Sequence, residues 1–256
     1  MPTTQPTTVL SSSRSRLRRT HAPHQWLVPA GLIVLSLIPL LAGAFRLTEL
    51  MGGAEITAKN ARFFASPIPV VVHIVSVSVY SWLGVLQFVP SLRGGRASWH
   101  RIAGRILVPA GVLVALSGLW MTVFYPRPAG DGEVLVVVRL IFGSAMLASI
   151  VLAVLAIRRR DIASHSAWMM RGYAIALGAG TQALILLLWI LLFGPTDELS
   201  RTVLMTASWV INVTVAEYVI RRSTRRSGRT SAGLGQPGTL HALLGPVSRL
   251  VSPAAQ

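Results

Sequence analysis

The sequence contains no cysteine. That absence excludes disulfides, thiolate zinc sites, iron–sulfur clusters and covalently attached c-type haem, each of which needs cysteine sulfur. It leaves room for non-covalent haem, a quinone or a His/carboxylate metal site. Charge is scarce as well. Only 12% of the 256 residues are Asp, Glu, Lys or Arg, where a soluble domain carries about 25%. Eight residues are acidic, and Lys59 is the one lysine. With 52% hydrophobic residues and a mean hydropathy of +0.61, the chain is too apolar for an ordinary water-soluble core. A bilayer is the simplest solvent for it.

What charge there is carries one sign. The formal net charge of +16 would point to nucleic acid in a soluble protein. Here the arginines sit in short clusters between long apolar runs, so membrane topology explains them and nucleic acid is not an expected partner. Six apolar stretches, approximately 27–45, 69–89, 102–124, 134–157, 168–193 and 202–220, are each close to the roughly 20 residues needed to cross a hydrocarbon core. Helices are the expected form, because isolated strands in lipid leave backbone groups unpaired. The fold class read from the sequence is therefore an all-α, polytopic transmembrane bundle of about six spans. Residues 1–25 and 222–256 read as basic disordered tails around a membrane domain at 26–221, with its core at 69–220.

Loop charge orients the bundle. With the N-terminus inside, the inner segments hold 18 of the 24 basic residues. The other loops keep Arg46, Lys59, Arg62, Arg127, Arg139 and Arg201, together with Glu49, Glu55, Asp131, Glu133, Asp197 and Glu198. Both termini are thus expected in the cytoplasm, in the cytoplasmic (inner) membrane of a bacterium with arginine-rich coding. Ala42-Gly43-Ala44 after the first apolar run resembles a signal-peptide cleavage site, although that run is long enough to span.

Two patterns suggest internal order. Val70-Val71-Val72-His73 opens the second span, and Val136-Val137-Val138-Arg139 opens the fourth. His100 follows His73 by a spacing close to that of His165 after Arg139, and Arg105 and Arg171 lie at equal offsets, as in a duplicated hairpin. Small residues recur at packing spacing, as Gly172, Ala176, Gly180 and as Ala145, Ser149, Ala153, which lets helices approach closely.

Few polar groups are available for chemistry. His100 begins the third span and His165 lies just before the fifth, so both belong to the inner leaflet. Two such imidazoles would suit a b-type haem iron. Arg101, Arg105 and Arg171 would pair with its propionates, with anionic lipid headgroups or with another anion. His73 lies on the opposite side of the membrane. At about 1.5 Å per residue it is too far away to join the other two histidines on one metal ion, so no metal site is expected. With Arg139 it would form an outer polar site for a quinone or a proton path. Each of these residues also has an ordinary reading as an interfacial anchor. Gln87, Gln182, Asn212 and Glu217 are the remaining intramembrane polar groups. Glu217 stands four residues before Arg221, the favourable order for a helical ion pair, and Asn212 suits a bond to a neighbouring helix.

Taken together, these residues carry a resemblance. His73, Gly84 and Gln87 are followed by His100-Arg101 with Gly104-Arg105. Arg160-Asp161, His165, Trp168-Met169 and Arg171 come next, and Trp209, Asn212 and Glu217 complete the series. Over roughly residues 70–220 the pattern resembles the bacterial predicted membrane proteins grouped as domain of unknown function 2306. The resemblance implies a multi-pass membrane protein and no particular activity. From the residues themselves three functions compete. The first is a redox protein linked to haem b or a quinone. The second is a small transporter or anionic-lipid-binding protein, and the third is a non-catalytic subunit packed against a partner membrane subunit.

Overall fold

A computed structural model of the chain describes the backbone of residues 27–88 and 97–234 and the side chains of residues 30–87 and 101–225. The regular structure among these residues is entirely helical: α1 (Leu27–Gly52), α2 (Ala61–Ala65), α3 (Pro67–Phe88), α4 (Ala97–Phe124), α5 (Glu133–Arg158), α6 (Ile162–Ala176), α7 (Gly178–Phe193) and α8 (Glu198–Leu234). Six stretches are long and apolar enough to cross a membrane: Ala30–Gly52, Pro67–Gln87, Arg101–Phe124, Glu133–Arg158, Ile162–Phe193 and Glu198–Arg225. The all-helical, six-span architecture expected from the hydropathy pattern is the one observed.

The ends of the spans differ from the sequence reading, for local reasons. The fifth begins at Ile162, earlier than expected, because Asp161 caps α6 by accepting the Ser164 backbone N–H at 2.9 Å. His165 therefore lies in the first turn of α6 rather than in the preceding loop. His100 occupies the same place in α4, each being the fourth residue of its helix. At the other end of the chain, α8 passes Arg221 and continues to Leu234. Part of the segment read as a disordered tail is thus helical. No proline interrupts it before Pro237, and Ser223 and Thr224 bond back to the Ile220 carbonyl. The tail expected at 1–25 and residues 235–256 lie outside the described residues. Ala42-Gly43-Ala44 sits inside α1, which runs unbroken to Gly52.

Neighbouring helices pack α3 on α4, α4 on α5 and α5 on α6, while α1 lies against α3 and α7. Helix α8 closes the bundle against α5, α6 and α7. The fifth span is broken between α6 and α7 at Leu177. A Cβ on Gly178 would collide with the Trp209 indole, and one on Gly180 would strike the Leu35 carbonyl of α1. Both glycines are thus required for close helix approach. The two stripes of small residues meet, since a Cβ on Gly172 would come within 3.6 Å of the Ser149 Cβ. Tyr80, Leu107, Val114, Met146, Ile150 and Tyr173 belong to the buried core. Leu191, Leu192 and Phe193 remain exposed, as side chains covered by lipid would.

Candidate functional site: a cavity at the carboxylate-bearing end

Six of the eight acidic residues fall at one end of the bundle, in the α1–α3, α4–α5 and α7–α8 connections or at the helix ends beside them. A cavity of about 420 Å³ opens there and reaches inward between α3, α4, α5, α7 and α8. Its size lies within the roughly 300–1,000 Å³ typical of small-molecule sites. The walls are largely apolar, with Leu40, Ile74, Val77, Val114, Leu119 and Met146 among them. One wall is the Phe142–Trp209 pair, stacked with ring centroids 4.9 Å apart. Leu177, where the span breaks, lies between Ala176 and Ala179, which also line the cavity.

Its polar groups are few and come from different elements. His73 projects from the second turn of α3, and its Nδ1 lies 3.0 Å from Ser117 Oγ of α4. Gln182 of α7 donates to the Met205 carbonyl at 3.2 Å. Arg62, carried by the short α2, donates to the Pro126 carbonyl at 3.3 Å and stacks over Phe63 at 4.6 Å. Its Nε is buried with no partner among the described residues. Burial pushes this guanidinium below the ordinary arginine value; Asp131 opposes the shift, and Arg139 and Arg46 add to it. It stays protonated nonetheless. Tyr125 closes the same rim, donating to the Ser66 carbonyl at 2.5 Å, and burial raises its phenol.

Behind this rim stands an ion triad built on a buried carboxylate. The Asp131 carboxylate is fully buried, with one oxygen 2.6 Å from Arg139 Nη1 and the other 2.6 Å from Arg201 Nε. It fastens the α4–α5 loop to α5 and α8 at once. Asp131 and Arg201 were read in the sequence only as outer charges. Nothing along the chain distinguishes Asp131 from Asp197, because its burial depends on two arginines distant in sequence.

The histidine and arginine expected at the outer end, His73 and Arg139, therefore line one cavity. They do not form a pair. His73 is bound to Ser117 and Arg139 to Asp131.

At the opposite, arginine-rich end an ion pair joins two helices. Arg171 grips Glu217 through two bonds, Nε to Oε1 at 2.5 Å and Nη2 to Oε2 at 3.1 Å, and stacks on Trp168 at 4.4 Å. This corrects the expected Glu217–Arg221 contact. The bidentate partner comes from α6, because a planar guanidinium facing the carboxylate makes two aligned bonds. Arg171 is thereby committed to Glu217. His165 Nδ1 lies 2.9 Å from the Ala153 carbonyl. Arg101 and Arg105 are exposed, while the side chain of His100 lies outside those described. Among the described residues no three His, Asp or Glu side chains are grouped to hold a metal.

Between the two ends, the break in the fifth span is bridged by α8. Asn212 donates to the Ala174 carbonyl at 3.3 Å and accepts from Thr181 at 3.0 Å, which partners polar groups beside the break. Tyr80 is buried at mid-span, and its hydroxyl has no partner among the described residues. It stands seven residues from both His73 and Gln87 on α3. That heptad spacing can be read from the sequence, but Ser76, Ser78 and Ser81 between these residues make the face hard to single out.

No match was found among curated proteins or among solved structures. The family described as predicted membrane proteins, DUF2306, matches residues 70–220. That region contains His73, Ser117, Arg139, Gln182 and most of the helices around the cavity, and covers more than half of the chain. The chain belongs to the DUF2306 family of predicted membrane proteins.

Proposed function

We propose that this multi-pass membrane protein binds a lipophilic small molecule with a polar head, of the quinone class, in the cavity at its carboxylate-bearing end. The observation that carries the reading is the cavity itself. It has apolar walls and a small number of convergent polar groups, His73, Arg62 and Gln182. Such a combination orients a head group while its apolar body is buried. Trp209 in the wall supplies a built-in reporter. Titrating the full-length protein in nanodiscs with a short-chain benzoquinone should quench tryptophan fluorescence saturably, and Ala179→Phe, which fills the cavity, should abolish the saturable part. Quenching that persists unchanged in Ala179→Phe would rule the cavity out as the binding site. Displacement of the quinone by dodecyl phosphate, lost in Arg62→Gln, would instead favour the lipid-binding or transport reading. The buried, unpartnered Nε of Arg62 speaks for that alternative.

A second reading, haem b held by His100 and His165 at the arginine-rich end, has one supporting observation. The Ala153 carbonyl only accepts, so His165 Nδ1 donates to it, and Nε2 is the ring nitrogen not used in that bond. A histidine oriented in this way is suited to ligation. A Soret band that shifts on dithionite reduction, and is lost in His100→Ala and in His165→Ala, is the expected result under this reading. A colourless protein from haem-replete cells would eliminate it.

A further inference from the structure

The hydrogen bonds around His73 restrict which ligand head the cavity accepts. A serine hydroxyl has one hydrogen and two acceptor positions. Ser117 Oγ lies 2.5 Å from the Leu113 carbonyl and 3.2 Å from the Val114 carbonyl. Two oxygens 2.5 Å apart need a hydrogen between them, and a carbonyl has none to give, so the Ser117 hydrogen is directed to the Leu113 carbonyl and its oxygen is left to accept from His73. The hydrogen between Ser117 and the imidazole therefore resides on Nδ1, at 3.0 Å. With no described carboxylate to pair an imidazolium, the neutral ring is the form that the apolar wall accepts. Nε2 is then an unprotonated acceptor. A Cβ placed on Gly118 would lie 3.4 Å from Cε1 and 3.8 Å from Nδ1, with Nε2 farther away. Nε2 thus lies more than 4 Å from that point of α4, on a side chain that lines the cavity.

We infer that His73, locked by Ser117, selects a ligand whose head presents an O–H donor, so that the cavity prefers a hydroquinone to the corresponding quinone. This rests on the cavity reading above and refines it. A quinone carbonyl offers only lone pairs, which face the lone pair of Nε2. The hydroxyl of the reduced ring meets that lone pair with a hydrogen. Ser117 is a positioning residue in this arrangement, since it acts on the ligand only through the tautomer it imposes.

The test compares three probes on the full-length protein in nanodiscs under anaerobic conditions: a short-chain benzohydroquinone, its dimethyl ether and the benzoquinone. The hydroquinone should bind about tenfold more tightly than either of the others, the effect of one buried hydrogen bond against an unsatisfied acceptor. Ser117→Ala releases the tautomer and should bring hydroquinone and quinone to within about twofold of each other while binding itself persists. Ser117→Thr, which keeps the hydroxyl, should retain the preference. Equal affinity for all three probes in the unaltered protein overturns the inference and leaves the cavity reading standing. So does a preference unchanged by Ser117→Ala. Binding of none of the three overturns both.

Discussion

The two ends of this bundle use similar residues in opposite ways. At the arginine-rich end one part-buried pair closes on itself: Arg171 holds Glu217 with two bonds and rests on Trp168. At the carboxylate-bearing end the ions stand behind a cavity. Asp131 draws Arg139 and Arg201 to one side, while Arg62 remains on the rim without a carboxylate in contact. The first arrangement joins two helices. The second supports the wall of a cavity that a ligand could fill. A polar group inside a membrane protein therefore points to a binding role only when its strongest bonds do not go to the protein itself.

The largest effect should come from the triad. Removing this buried carboxylate leaves two partly exposed guanidinium groups without their counter-ion, a loss of about 3 kcal/mol, the low end of the range for a broken buried ion pair. Asp131→Ala should thus lower the thermal unfolding midpoint in detergent more than any substitution at the arginine-rich end. If it is no worse than Glu217→Ala, the two ends do not differ in the way described here.

Glu217→Ala ranks second. The Arg171–Glu217 pair is partly exposed and joins α6 to α8, and its loss should cost about 2 kcal/mol. Quinone binding at the far end should be unaffected, which a fluorescence titration of the same variant checks. Coupling between the two would show that the ends are not independent.

The smallest effect is a pH dependence confined to the arginine-rich end. Hydrogen bonds from the Ser164 hydroxyl and backbone N–H hold the Asp161 carboxyl below the ordinary carboxylate range. A group with a depressed folded value contributes its stability above its unfolded value, about pH 4, and loses it as pH falls through the folded value. Amide exchange in the first turn of α6 should accordingly rise only in strong acid. In Asp161→Ala it should already be fast at neutral pH. Exchange in the α4–α5 loop should not respond to that substitution.

Much of this was legible in the chain. Long apolar runs separated by arginine clusters imply spanning helices, because lipid accepts no other single-segment backbone form. The polar residues of interest stand out because the membrane domain has so few. His73 and Arg139 line one cavity, and helix length alone is enough to put both near the same end. Their partners were not legible. Arg221 looked the better match for Glu217 because sequence displays i,i+4 neighbours and conceals those across helices. His165 was placed one turn outside its helix because the Asp161 cap is a three-residue event within a polar stretch.

The sequence by itself determined the solvent of this protein, the number of its spans and which end each polar group would approach. All of these follow from local hydropathy and a fixed rise per residue. The tertiary structure alone decided which groups face one another: Asp131 with two distant arginines, Asn212 with the broken fifth span, and His73 with the serine that sets its tautomer. These relations depend on the rotation and lateral order of helices, and closely approaching glycines such as Gly178 and Gly180 help to fix that order. A cavity is likewise a property of several helices at once, and no single stretch of sequence encodes it.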